Sequence, residues 1–208
     1  MSLFGTQTSG NAGVISLSKG ETISLAKKAP SLKEVYVGLG WDEKKGYGSA
    51  DYDLDVSVFM LGENGKVINP NANFIFYGNL DSPCGSIHHT GDNRTGQGDG
   101  DDEVVIAKLD KVPEAIKELV FTVTIHEARA NRQNFGQIQN AFIRLCDNLD
   151  SGKKEIARYD LTEQSSSSLS MIFARLVRGN DGWQFQAMGE GLDVELAGVC
   201  TRYGVSAQ

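Results

Sequence analysis

Apolar residues along the chain come in short runs broken by Gly, Asn, Asp and Ser. The runs are VISLSKG (14–20), ETISL (21–25), EVYVGLGW (34–41), DLDVSVFML (53–61), NFIFYG (73–78), EVVIAKL (103–109), LVFTVTI (119–125), AFIRLC (141–146), EIARYDL (155–161), SMIFARLVR (170–178) and WQFQAM (183–188). Apolar or alternating runs of this length, bounded by turn residues, read as strands. Gly65 in GENG, Gly152 in DSGK and Gly182 in NDGW mark hairpin turns, because glycine tolerates positive φ. Many short strands without a strand–helix rhythm predict an all-β fold with minor α content, a sandwich or a barrel.

Two stretches carry helix signals. PEAIKEL (113–119) opens with proline at a favourable first-turn position. LDVELAGVCTRYG (192–204) places Leu192, Leu196, Val199 and Tyr203 on one face and ends at Gly204. Residues 1–13 read as a flexible lead-in, Ser165–Ser168 as a polar spacer, and residues 14–208 as one domain without internal repeats. With 24 Gly against 4 Pro, the chain has many turns and no proline-rich linker.

Composition narrows the function classes. Of the 208 residues 40% are hydrophobic and 23% charged, the balance of an ordinary globular protein. The net charge of −7 argues against direct binding to nucleic acid or to an anionic membrane, both of which need a basic surface. Cys84, Cys146 and Cys200 are odd in number and far apart, which disfavours a disulfide framework or a thiolate zinc site and suits a reducing cytoplasm. The polar start, MSLFGTQTSGNAG, lacks the basic and apolar regions of a signal peptide. The chain has no apolar run long enough to cross a bilayer as a helix.

GDNRTGQGDGDDE (91–103) changes the picture. Asp92, Asp99, Asp101, Asp102 and Glu103 crowd one glycine-rich loop, with Arg94 the only opposing charge inside it. Like charges at such spacing repel by roughly 1 kcal/mol per close pair in water. In DYDLDVSVFM, strand alternation puts Asp51, Asp53, Asp55 and Ser57 on one face. Same-face neighbours lie roughly 6.6 Å apart, which suits adjacent ions or one ion completed by a loop, rather than two side chains on one ion. A flexible set of hard oxygen donors favours Ca²⁺ over Mg²⁺ and over soft metals. The donors would be Asp92 and Asn93, the carbonyls of Thr95, Gly96 and Gly98, and Asp102 and Glu103. An EF-hand is excluded: Arg94, Gly96 and Gln97 stand at positions 3, 5 and 6, and the flanks are not helical.

At these stretches the sequence closely resembles the TerD family of tellurite-resistance and stress-response proteins. The matching segments include ISLSKG, VGLGWD, DYDLDVSVF, NFIFYGNL, HTGDNRTGQGDGDDE, FTVTIHEARANRQNFGQIQNAFIRL, ARYDLTE and GLDVELAGVCTRYGV. The resemblance spans residues 14–208; the extended start, MSLFGTQTSGNA, departs from the usual family beginning. It implies a β-sandwich of two sheets with short helices, one of them C-terminal. It also implies two Ca²⁺ ions, with Asp53, Asp55, Asp92, Asn93, Thr95, Gly96, Gly98, Asp102 and Glu103 as ligands and Asp42 as a contributor. The implied role is a non-enzymatic stress-response module in the cytoplasm that docks onto protein partners, some of them membrane-associated.

Other chemistry fits less well. His88 and His89 would point to opposite faces of a strand, and His126-Glu127 lacks the second histidine of HExxH. No phosphate-binding glycine loop and no nucleophile elbow occur. Cys146 and Cys200 read as core, Cys84 as exposed, and Arg129, Arg132 and Gln133 as a solvated turn. The alternative function is a metal-dependent phosphoesterase using the same carboxylates, for which Arg94 is the main candidate phosphate contact.

Overall fold

The run LDVSVFML forms strand β4 (Leu54–Leu61), and every one of its residues is buried on both faces. A strand buried on both faces needs two covering layers, and the topology supplies them. The computed structural model describes residues 15–16, 20–28, 32–43, 51–98, 100–147, 154–161 and 167–206. Twelve strands are described: β1 (Ile15–Ser16), β2 (Thr22–Ser24), β3 (Glu34–Gly40), β4, β5 (Phe74–Ile75), β6 (Ile87–His89), β7 (Glu103–Lys108), β8 (Glu118–Ile125), β9 (Phe142–Asp147), β10 (Lys154–Asp160), β11 (Ser170–Gly179) and β12 (Gly182–Leu192). One sheet has the order β1-β10-β9-β3-β7-β6 and the other β2-β12-β11-β8-β4-β5. All pairings are antiparallel except β1 with β10.

The fold is thus the expected mostly-β, two-sheet sandwich. Its main core joins inward residues of both sheets, among them Val35, Val37, Leu39, Val56, Val58, Phe121, Leu145 and Phe173. Each such fully buried apolar side chain contributes about 1.5–3 kcal/mol. A second apolar cluster, with Phe59, Leu61, Phe74, Val120, Val199, Cys200 and Tyr203, lies on the other side of β4 and β8. There helix α4 (Leu196–Arg202) is the second layer. Among the described residues α1 (Leu25–Lys28), α2 (Pro70–Asn73) and α3 (Ala128–Asn131) are single helical turns.

Several expectations are corrected in detail. PEAIKEL is a turn running into β8: Ile116 is buried, and the Arg178 guanidinium donates to the carbonyls of Val112, Pro113 and Ile116. Leu192 ends β12 instead of starting a helix, whereas Gly204 does stop α4, at φ 79°. Hairpin turns do occur at Gly65 (φ 68°) and Gly182 (φ 108°). The lead-in 1–13, Gly152, Asp99 and part of the serine spacer lie outside the described residues. Among the described residues no helix is long and apolar enough to cross a membrane.

Candidate metal centre

β4 begins at Leu54, so Asp51 and Asp53 precede the strand and the strict alternation expected of them does not apply. The His126 N–H, just past the end of β8, donates to the Asp53 carbonyl at 2.8 Å and fixes that approach. The loop after β6 brings Asp92 to the same place. Carboxylate oxygens of Asp53, Asp55 and Asp92 all lie within 4.8 Å of one another. The strand spacing therefore does not keep Asp53 and Asp55 from sharing an ion, because Asp53 is off the strand.

These groups are poorly neutralised. Arg94 Nε is 3.6 Å from Asp53 Oδ2, and His126 Nδ1 is 3.9 Å from Asp55 Oδ2. Arg94 thus faces a carboxylate while its side chain stays 72% exposed. Asp53 Oδ1 is buried without a hydrogen-bond partner. Asp55 is only 3% exposed. Burial first, and then the charges of Glu103, Asp53 and Asp92, push the Asp55 carboxyl up to about 8. Burial also raises Asp53, against the pull of His126, and raises the Tyr77 hydroxyl, with Asp55 adding to it.

Glu103, on β7, is fully buried behind the cluster. Its Oε2 accepts from Val56 N at 2.7 Å and its Oε1 from Asn93 N at 3.3 Å, so one side chain ties the loop to β4. His89 Nδ1 accepts from Gly91 N at 3.1 Å, which leaves the ring proton on Nε2, 3.2 Å from the Val56 carbonyl and 3.6 Å from Glu103. His88 faces the opposite way and pairs with Asp81, as strand alternation requires. Burial raises the Glu103 carboxyl, and the contacts from His89, Val56 and Asn93 pull it back.

Asn93 clamps the loop from within. Its Oδ1 accepts from Thr95 N and Gly96 N at 3.2 and 3.1 Å, and its Nδ2 donates to Asp102 Oδ1 at 3.1 Å. The carbonyls of Thr95, Gly96 and Gly98 accept no hydrogen bond among the described residues. Asp102 Oδ2 accepts from Trp41 N at 2.9 Å; burial raises this carboxyl too, against the pull of that bond, with the charges of Asp101 and then Asp42 adding to it. Asp42 accepts from Asn140 Nδ2 at 2.7 Å beside a separate hollow of about 330 Å³ that Gly98 and Gly100 also line. Of the expected ligands, Asp53, Asp55 and Asp92 form a tight trio with Glu103 behind it. Asp42 and Asp102 are tied instead to Asn140, Trp41 and Asn93, and Arg158 lines the hollow beside Asp42.

Three features were not legible in the sequence. Asp101 has its own counter-charge: Arg144 from β9 grips it at 2.8 and 2.9 Å, and Tyr36 Oη donates to it at 2.7 Å. The glycines of β3 make room for this loop, since a Cβ on Gly38 would stand 2.4 Å from Asp101 Cγ and one on Gly40 2.5 Å from the Gly100 carbonyl. Gln133, expected in a solvated turn, is buried and donates to the Asp51 carbonyl at 3.0 Å. Nothing in a single sequence pairs residues 36, 101 and 144.

A two-sheet β-sandwich with a convergent acidic trio at one edge is the class that fold and geometry define. The TerD domain profile matches residues 14–203, and the chain belongs to that family. It is 53% identical to a tellurium resistance protein TerD from Serratia marcescens over 93% of this chain and 98% of that one. It is 47% identical to general stress protein 16U of Bacillus subtilis over 92% and 97% of the two chains. The fold is also similar to a solved homologue of the telluride resistance protein from Streptomyces coelicolor A3(2), with a TM-score of 0.71 at 22% identity, covering 85% of this chain and 100% of that one.

Proposed function

We propose that the protein is a non-enzymatic calcium-binding module of a stress response, with tellurium resistance the best-supported setting. The observation that carries the reading is the trio Asp53, Asp55 and Asp92. Oxygens on opposite sides of a Ca²⁺ are at most about 5.2 Å apart, given Ca–O distances of about 2.3–2.6 Å, and the 4.8 Å limit of the trio fits one ion. The partnerless Asp53 Oδ1 and the deeply buried Asp55 fit a cation better than an idle surface. Relatives named for tellurium resistance and general stress support the setting.

Asp53, Asp55 and Asp92 would hold one ion, with the loop carbonyls of Thr95 and Gly96 as further donors. Asp42 and Asp102, with the Gly98 carbonyl, would hold a second. A bound Ca²⁺ supplies two positive charges against the mutual repulsion of these carboxylates. Glu103 and Asn93 hold the loop in register with β4, so that Asp92 meets Asp53 and Asp55. The ordered loop then presents a surface on which cytoplasmic or membrane-associated partners dock.

Calorimetric titration of the chelator-stripped protein with Ca²⁺, in excess Mg²⁺, tests this reading. Saturable binding near two equivalents, with a raised melting temperature, is the expected result. Absence of saturable binding would overturn it.

A further inference from the structure

A cleft of about 930 Å³ opens between the turn after β5, the end of β8 and α4. One wall is aromatic: Phe74 and Phe76 stack with centroids 4.5 Å apart, Tyr77 meets Phe76 edge-on at 5.0 Å, and His126 meets Tyr77 at 6.1 Å. Leu196 and Ala197 of α4 also line it. Asp55, Glu127 and Glu195 are the carboxylates lining it, and none of its described lining residues is Lys or Arg.

Three cations on the flanking elements are already engaged, while Arg132, just past α3, is exposed. Arg129 pairs with Asp193 at 3.1 Å, Arg202 with Glu190 at 2.7 Å, and Lys66 Nζ donates to the Arg202 carbonyl at 2.6 Å. Glu127 is exposed and its carboxylate makes no hydrogen bond or ion pair among the described residues. Its backbone stands at φ 48°, a conformation uncommon for a non-glycine residue. Glu195 accepts one bond, from Arg129 N at 3.0 Å, through one of its two carboxylate oxygens.

Aromatic faces beside carboxylates are the chemistry that recognises an organic cation with an apolar stem. We propose that this cleft binds an extended basic peptide segment of a partner protein. One Lys or Arg side chain lies along the Phe76 and Tyr77 rings and ends at Glu127 and Glu195, while a neighbouring apolar residue rests on Phe74 and Leu196. An acidic segment is disfavoured by the like charges. Because Glu127 and Glu195 are not among the metal-binding candidates, the cleft keeps its negative rim when Asp55 is occupied by a cation.

The test uses arrays of short N-acetylated peptide amides with Lys, Arg, norleucine or Glu fixed at the centre, probed with the full calcium-loaded chain. Lys- and Arg-centred peptides should be retained, with norleucine and Glu peptides at least about tenfold weaker. Glu127→Gln with Glu195→Gln should abolish that preference while leaving the melting curve and the calcium titration unchanged. Phe76→Leu should weaken the Lys peptides about two- to fivefold. Equal retention of norleucine peptides, stronger retention of Glu peptides, or no retention of any Lys or Arg peptide would overturn the proposal. A normal calcium titration beside any of these results would leave the metal reading standing.

Discussion

Three carboxylates converge on a space that one cation would fill, and a fourth, Glu103, braces the loop that carries one of them. The division of labour among these residues can be measured. Outer partners of metal ligands alone are worth about 10–100-fold in affinity, so Asp55→Asn should weaken calcium binding by more than about tenfold. The same variant should stabilise the metal-free protein, because it removes a buried carboxylate that burial and its neighbours hold in a costly state. An Asp55→Asn protein that binds calcium like wild type would exclude Asp55 from the site. Asp101 behaves differently. Its side chain is 1% exposed and bound by both Arg144 and Tyr36, so Asp101→Ala should cost about 3–5 kcal/mol in urea unfolding, as loss of one partner of a buried pair does. A loss under about 1 kcal/mol would mean that Glu155, 3.5 Å from Arg144, or water satisfies the guanidinium instead.

At the scale of elements, β3 and the acidic loop form one unit. Gly38 and Gly40 leave the outer face of β3 bare, and Gly100 and Asp101 lie down on it. Gly38→Ala should therefore lift the loop, weakening calcium binding several-fold while the far sheet keeps its amide protection in hydrogen exchange. Unchanged affinity would show that the Asp101 contact is irrelevant to the metal-binding end of the loop. The strands were readable in the sequence because alternation and β-branched residues are local signals. PEAIKEL misled because its helix propensity is outweighed by the Arg178 contacts to the Pro113 and Ile116 carbonyls and by the pairing of Glu118 with Leu61 and Val177. The site was legible as composition, five acids on a glycine loop. Its geometry was not, since the meeting of Asp92 with Asp53 depends on a loop path and on Gln133 and Glu103, which brace it from distant positions.

For the whole molecule, the consequence is a pH dependence of unusual sign. Burial raises Asp53, Asp55, Asp102 and Glu103 in the folded state relative to the unfolded chain. Between the ordinary carboxylate range and about 8, the folded state binds more protons than the unfolded one. Stability of the metal-free protein should consequently fall as pH rises through that window, making it more stable near about pH 5 than near about pH 8. Saturating calcium should flatten or reverse the trend, since the ion binds the ionised carboxylates. Melting curves at both pH values, with and without chelator, check this; a metal-free protein that gains stability with rising pH would contradict it.

The central claim is that Asp53, Asp55 and Asp92 share one calcium ion. A crystal structure grown in calcium, with anomalous scattering to identify the ion, tests it most directly. The expected result is an ion between these three residues, with a carboxylate oxygen from each at about 2.3–2.6 Å. Ordered carboxylates with no ion between them, at calcium concentrations that saturate binding in solution, would contradict it.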